Sequence, residues 1–198
     1  MNTFESTRNR REALSAMLTD SSEEVRTAAA ESLERLEGIG NLPEVFEALK
    51  KGNLGTKIKA LYALNKIGGE EVLPALLYCS TRPEVDLKSA AVEILGNLAN
   101  PRALPVLLEC LKDTNPVIQA KAIAALGNFK NPSIIEALLP FLDAGDGLLD
   151  AEAIISLGRI GDGALEARFI ELLRSPHTQT REAAAHALGE LRIMPAGS

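Results

Sequence analysis

Residues 118–129 read Ile-Gln-Ala-Lys-Ala-Ile-Ala-Ala-Leu-Gly-Asn-Phe. Ile118, Ala122, Ile123, Leu126 and Phe129 follow one another at steps of four, one, three and three, which puts them on one face of an α-helix. Leu126 is one member of a column. Leu33, Leu64, Leu95, Leu126, Leu157 and Leu188 are each 31 residues apart, with no insertion or deletion. Four residues before each stands an alanine: Ala29, Ala60, Ala91, Ala122, Ala153 and Ala184. Three residues after each stands a large apolar side chain: Leu36, Ile67, Leu98, Phe129, Ile160 and Leu191. Aligned columns at a fixed interval are the mark of a stacked array of like units.

A second apolar helix face precedes the first within the unit. In the fourth copy Leu104, Leu107, Leu108 and Leu111 mark it, and the short loop from Asp113 to Pro116 joins the two. Each repeat is therefore read as helix A, a loop, helix B and a turn. Gly68, Gly69, Gly161 and Gly163, with Asn100-Pro101 and Asn131-Pro132, mark the turns. Pro43, Pro74 and Pro105 share a column in the first turn of helix A, where a missing N–H has no partner to lose. Pro140 falls late in helix A of the fifth copy and is expected to kink or shorten it. The small alanines are expected to sit where helices approach closely. No strand-type alternation occurs.

Composition agrees with a helical, aliphatic chain. Hydrophobic residues make up 46% of the 198, but aromatics only 4%, with no Trp, so Leu, Ile, Val and Ala must build the core. The net charge is −6 with both signs interspersed, which argues against a nucleic-acid binder, since that function needs a basic face. No apolar run approaches the roughly 18 residues that span a bilayer, so no membrane association is expected. Glu5, Arg8, Arg10, Arg11 and Glu12 leave no apolar signal-peptide core near the start. Two cysteines make no disulfide framework. A cytoplasmic location is the expectation.

Glu24-Val25-Arg26 followed by Ala28-Ala29-Ala30 and Leu33, and Ala183 to Gly189, resemble the second helix of HEAT repeats, in the short bacterial form seen in phycobilin lyases. The resemblance runs over about residues 8 to 193. It implies an all-α fold: a right-handed α-α superhelix, or solenoid, of six two-helix repeats with a 31-residue period. The chain is then a single domain, 1–198, with repeats at about 8–37, 38–68, 69–99, 100–130, 131–161 and 162–193. The resemblance also implies a basic residue seven positions before each column leucine, paired with an Asp of the inter-helix loop. That column reads Arg26, Lys57, Lys88, Gln119, Asp150 and Arg181, so it fails in the fourth and fifth copies; Asp20 and Asp113 stand at the loop position.

Catalytic and metal-binding patterns are absent. A related di-iron hydroxylase carries His-Glu pairs six and five positions before the column leucine; here those positions hold no such pair, and His177 and His186 are the only histidines. Asp143-Ala144-Gly145-Asp146-Gly147 and Asp150 lack the carboxylate spacing of a calcium loop and are read as an inter-helix loop. Cys79 and Cys110 share a column on neighbouring A helices and are read as buried thiols. No enzyme, cofactor or metal is expected.

A partner surface is expected where helix B is free. The resemblance implies that B helices line the concave side. If each buries its column leucine and the positions three, four and eight before and three after it, the free stripe lies nine, five and two before and two after. The candidate partner-binding residues on this concave stripe are Lys59, Tyr62, Lys66, Glu93, Val117, Lys121, Leu148, Glu152, Ile155, Arg159 and His186. Charges are mixed, as suits a protein or peptide partner. Tyr62, Val117, Leu148 and Ile155 are apolar where solvent is expected, and a patch of that kind marks binding. The expected function is a protein-interaction scaffold. The alternative is a bilin lyase-like handler of tetrapyrroles, and less favoured is nucleic-acid binding. At the ends, the polar first helix and Glu182, with Pro195 stopping the last helix, lead us to expect a finished, monomeric array.

Overall fold

A computed structural model describes residues 3–191; the expected stop at Pro195 lies outside them. Every regular element among the described residues is helical. The backbone divides into two compact units, one ending at Ala75 and one beginning at Leu76, inside the helix Leu73–Cys79.

The first unit opens with α1 (Thr3–Met17) packed on α2 (Glu23–Gly40), then α3 (Leu42–Lys51) packed on α4 (Leu54–Ile67). α2 and α4 also touch. Ser22 and Asn53 start the B helices by accepting the amides of Val25 and Thr56. α2 runs past the expected end of the first repeat, and Asn41 alone separates it from α3. Gly38 and Gly40 both lie inside α2 without positive φ, so neither turns the chain there. Helix α1 exposes Arg8, Arg10, Arg11 and Glu12. The six-fold column is thinly covered there: Leu33 is half-buried and Val25 is exposed, while Leu64 is fully enclosed.

The second unit follows α5 (Leu73–Cys79). It holds α6 (Val85–Leu98), α7 (Leu104–Cys110), α8 (Pro116–Gly127), α9 (Ile135–Leu138), α10 (Leu149–Ile160), α11 (Glu166–Leu172) and α12 (Thr178–Glu190). Asn100, Asn131 and Asp162 each accept an amide two residues on and open a 3-10 turn that leads into α7, α9 and α11. Pro74 and Pro105 are second residues of their helices, as the column required. Pro140 ends α9 after one turn, and Leu139–Asp143 continues as 3-10 helix. All six column alanines are buried, at 5% exposure or less. Leu95, Leu126 and Leu157 are at 0%, whereas Leu188, last in the column, is only half-buried.

The B helices of this unit stack α6 on α8, α8 on α10 and α10 on α12. A glycine sits at each crossing. A Cβ added to Gly96 would lie 2.5 Å from Ala125 Cβ, one on Gly127 2.7 Å from Ser156 Cβ, and one on Gly158 2.8 Å from Ala187 Cβ. The close approach lets Ser156, buried in the same seam, donate its hydroxyl to the Ile123 carbonyl at 2.9 Å.

The position seven before the column leucine serves a different end from the one expected. Arg26 donates to the carbonyls of Asp20 and Ser21, Gln119 to that of Leu111, and Arg181 to those of Ser175 and Pro176. These side chains tie down the exit of helix A, a task that an amide performs as well as a guanidinium. Asp20 contributes its backbone, not its carboxylate, to that bond. Lys88 does pair with Asp113, but across to the next A–B loop. Asp150, acidic in a basic column, is buried and accepts the hydroxyl of buried Thr180 at 3.0 Å. Cys79 and Cys110 are buried and form no disulfide, and burial pushes the Cys110 thiol up.

Candidate functional site: a groove between two B helices

Leu148, Glu152, Ile155 and Arg159 follow one another along the start and one face of α10 at steps of four, three and four. The start of that face is fixed by Asp146, whose carboxylate accepts the amides of Leu148 and Leu149 at 2.8 Å. The loop is held from the other side by His177, whose Nε2 lies 3.0 Å from the Gly145 carbonyl oxygen, a bond that requires the Nε2–H tautomer. Arg168 pairs with Asp143 at the loop's beginning. The segment is an inter-helix loop, as expected, and four of the side chains on or against it aim the first turn of α10.

Opposite this face, α12 presents Gln179, Glu182, His186 and Glu190, and a groove of about 480 Å³ opens between the helices. Five of the residues expected from the sequence, Leu148, Glu152, Ile155, Arg159 and His186, line it together. Leu148 is 42% exposed, Ile155 half-buried and His186 exposed. Past Arg159 and Glu190 a second, more polar recess reaches Asn128 and Lys130.

The same face continues on the neighbouring B helices as a ladder of polar pairs. Arg159 donates to Asn128 Oδ1 at 3.1 Å, and Lys121 meets Glu93 at 2.7 Å, so both rungs join successive B helices. Val117, at the start of α8, is 47% exposed. In the first unit Lys59 and Tyr62 are exposed on α4, and Lys66 bonds Glu34 of α2 at 3.4 Å. That weak contact between two exposed side chains contributes little.

Electrostatically the groove is acidic. Burial pushes the Glu152 carboxyl above its ordinary range, and the positive charges of Arg159 and Lys121 counter this only in part. Among the described residues, the carboxylates of Glu152, Glu182 and Glu190 have no hydrogen-bonded or ion-pair partner. No cluster of His, Cys, Asp and Glu that could hold a metal occurs among the described residues.

Gln179 and Glu182 had not been singled out for this surface. Gln179 stands nine before Leu188, in the column of Val117 and Leu148, so the stripe rule reaches it. Glu182 stands six before, in a column buried at Ala120 and Ala151. It lines the groove from α12 beside Gln179 and His186.

Comparison with known proteins agrees with the helical repeat fold. The family model for HEAT repeats matches residues 11–87, 76–149 and 135–196. The chain belongs to the HEAT-repeat family. Solved structures similar to this HEAT-repeat chain include the complex of CpcE and CpcF of phycocyanin lyase from Nostoc sp. PCC7120. That match has 21% identity and a TM-score of 0.58, over 90% of this chain and 76% of that one. Two engineered proteins are similar at 21% identity each. One covers 91% of this chain and 95% of its own at a TM-score of 0.54, the other 96% and 98% at 0.56. At this identity the likeness is one of fold. A search of curated proteins finds no match to the HEAT-repeat chain. No described helix is long and apolar enough to cross a membrane.

Proposed function

We propose that this HEAT-repeat chain is a protein-interaction scaffold, monomeric and without catalysis of its own, which holds a partner segment along the exposed stripe of its B helices. The observation that carries the reading is the groove between α10 and α12, where the apolar side chains of Leu148 and Ile155 face solvent beside an open recess. Apolar groups gathered in a groove with polar groups around them are what a recognition surface needs. Repeats that stack side by side supply such surfaces in extended form.

The tetrapyrrole reading finds less support. Bilins carry propionate groups, and three carboxylates line this groove against one guanidinium. Like charges would meet there. Nucleic acid is disfavoured for the same reason.

The test is capture of binding proteins from cells that express the chain, with wild type, Tyr62→Ala and Ile155→Asp as baits. Both variants are expected to hold their helical circular dichroism, and Ile155→Asp to lose the captured partner. Equal capture by all three would place the binding surface elsewhere on the molecule.

A further inference from the structure

We propose that the groove between α10 and α12 takes a basic, aliphatic segment of a protein partner: a Lys or Arg flanked by Leu-, Ile- or Val-type side chains. The proposal rests on the scaffold reading above and adds the chemistry of the occupant.

The order of side chains along α10 carries it. Leu148 and Ile155 are apolar and accessible, and Glu152 lies between them on the same face. A ligand that covers the two apolar groups must also cover the carboxylate. Removing a charge from water is costly unless an opposite charge meets it. Glu152 has no hydrogen-bonded or ion-pair partner among the described residues, and the positive charges of Arg159 and Lys121 offset its burial only in part. Across the groove stand Glu182 and Glu190, two more carboxylates without a hydrogen-bonded or ion-pair partner among the described residues. The lining holds three carboxylates and one guanidinium, so charge complementarity asks for a cationic occupant. A neutral ligand would take more water from Glu152 without adding charge to the partial help of Arg159 and Lys121, and an acidic one would add repulsion. The displaced pKa of Glu152 points the same way, since that carboxyl is already short of water.

The whole chain is titrated against three labelled ten-residue peptides, followed by fluorescence anisotropy. One is built of Lys, Leu and Ile, one has Glu in place of Lys, and one has Ser in place of Lys. The Lys peptide is expected to bind saturably and at least about tenfold more tightly than the Glu peptide. Glu152→Gln with Glu182→Gln is expected to weaken it about tenfold. Glu136→Gln with Glu166→Gln removes two exposed carboxylates from α9 and α11, outside the groove, and is expected to leave binding unchanged.

Absence of saturable binding by the Lys peptide overturns the proposal. So does equal affinity for the Glu peptide, or an equal loss in both double variants, which would reduce the effect to overall charge. Should the Ser or Glu peptide bind best, with Ile155→Asp abolishing that binding, the scaffold reading stands and the basic occupant falls. Should no peptide bind and capture by Ile155→Asp match wild type, both fall.

Discussion

Glu152 and Asp113 are carboxylates with opposite histories in the fold. Lys88 and the Asn115 amide hold Asp113 below the ordinary carboxylate value, so its ionised form stabilises the folded chain. That contribution is present above the unfolded pKa and is lost as pH falls through the lower folded value. Burial does the reverse to Glu152. Its raised folded pKa means that ionisation costs stability, a cost felt in full above the folded value and relieved as pH falls toward the unfolded one. Two outcomes are expected from denaturation midpoints followed against pH. Asp113→Asn should lower the midpoint near neutrality, and the deficit should vanish in strong acid. Glu152→Gln should match or exceed wild type near neutrality, and any advantage should shrink in acid. A Glu152→Gln protein that is clearly less stable than wild type at neutral pH would show that the carboxylate serves the fold and not a ligand.

Helices meet at glycines in the second unit, and this belongs to the scale of the element. An extra methyl is worth up to about 1 kcal/mol in a helix by propensity alone. At Gly127 the added Cβ meets both Ser156 Cβ and its Cα, at 2.7 and 2.8 Å, so α8 and α10 must part. Gly127→Ala is therefore expected to destabilise the chain by about 1–3 kcal/mol, the usual cost of overpacking. Gly189, one full period beyond Gly158, meets nothing within 4 Å. Gly189→Ala is expected to be neutral or stabilising. Urea midpoints of the two variants decide it, and equal effects would contradict the seam. These glycines also show what the sequence could tell and what it could not. The leucine and alanine columns run through six copies and were plain from the residues alone. The glycine column holds in only the last four copies, with Glu34 and Asn65 in the first two, so it went unread until the close contacts gave it a meaning. Pro140 was legible because a proline past the first turn of a helix removes a hydrogen bond and clashes with the preceding turn. The groove was legible along α10, where one helix's periodicity exposes Leu148, Glu152 and Ile155. It was not legible at Glu182, because the same column is buried at Ala120 and Ala151, and a residue's exposure there is decided by its neighbours in space. Asp150 could be seen as an exception, but its partner Thr180 belongs to the next pair of helices, and no local pattern links them.

At the scale of the molecule, stability is unevenly spread. Of the residues described in α1 and α2, Ala29 alone is buried, while α8 and α10 each bury a full face. Repeat arrays draw their stability from neighbours, so coverage of this kind sets local opening. Amide exchange is expected to be fastest in α1 and α2 and slowest in α8 and α10. A uniform exchange rate from end to end would mean that the chain opens as one cooperative body. The bond from Thr180 to Asp150 has a further consequence, for the ancestry of the chain. Arrays of this kind can lengthen by copying a segment, and a copy is viable only if its edges suit its new neighbours. In the segment that carries Asp150, the place matching Thr180 is filled by Leu149. A tandem duplicate of that segment would press a buried carboxylate against a leucine, with no hydroxyl to meet it. Asp150 and Thr180 thus tie these two neighbouring segments together in this order, and a tandem copy of the first would be disfavoured at that joint.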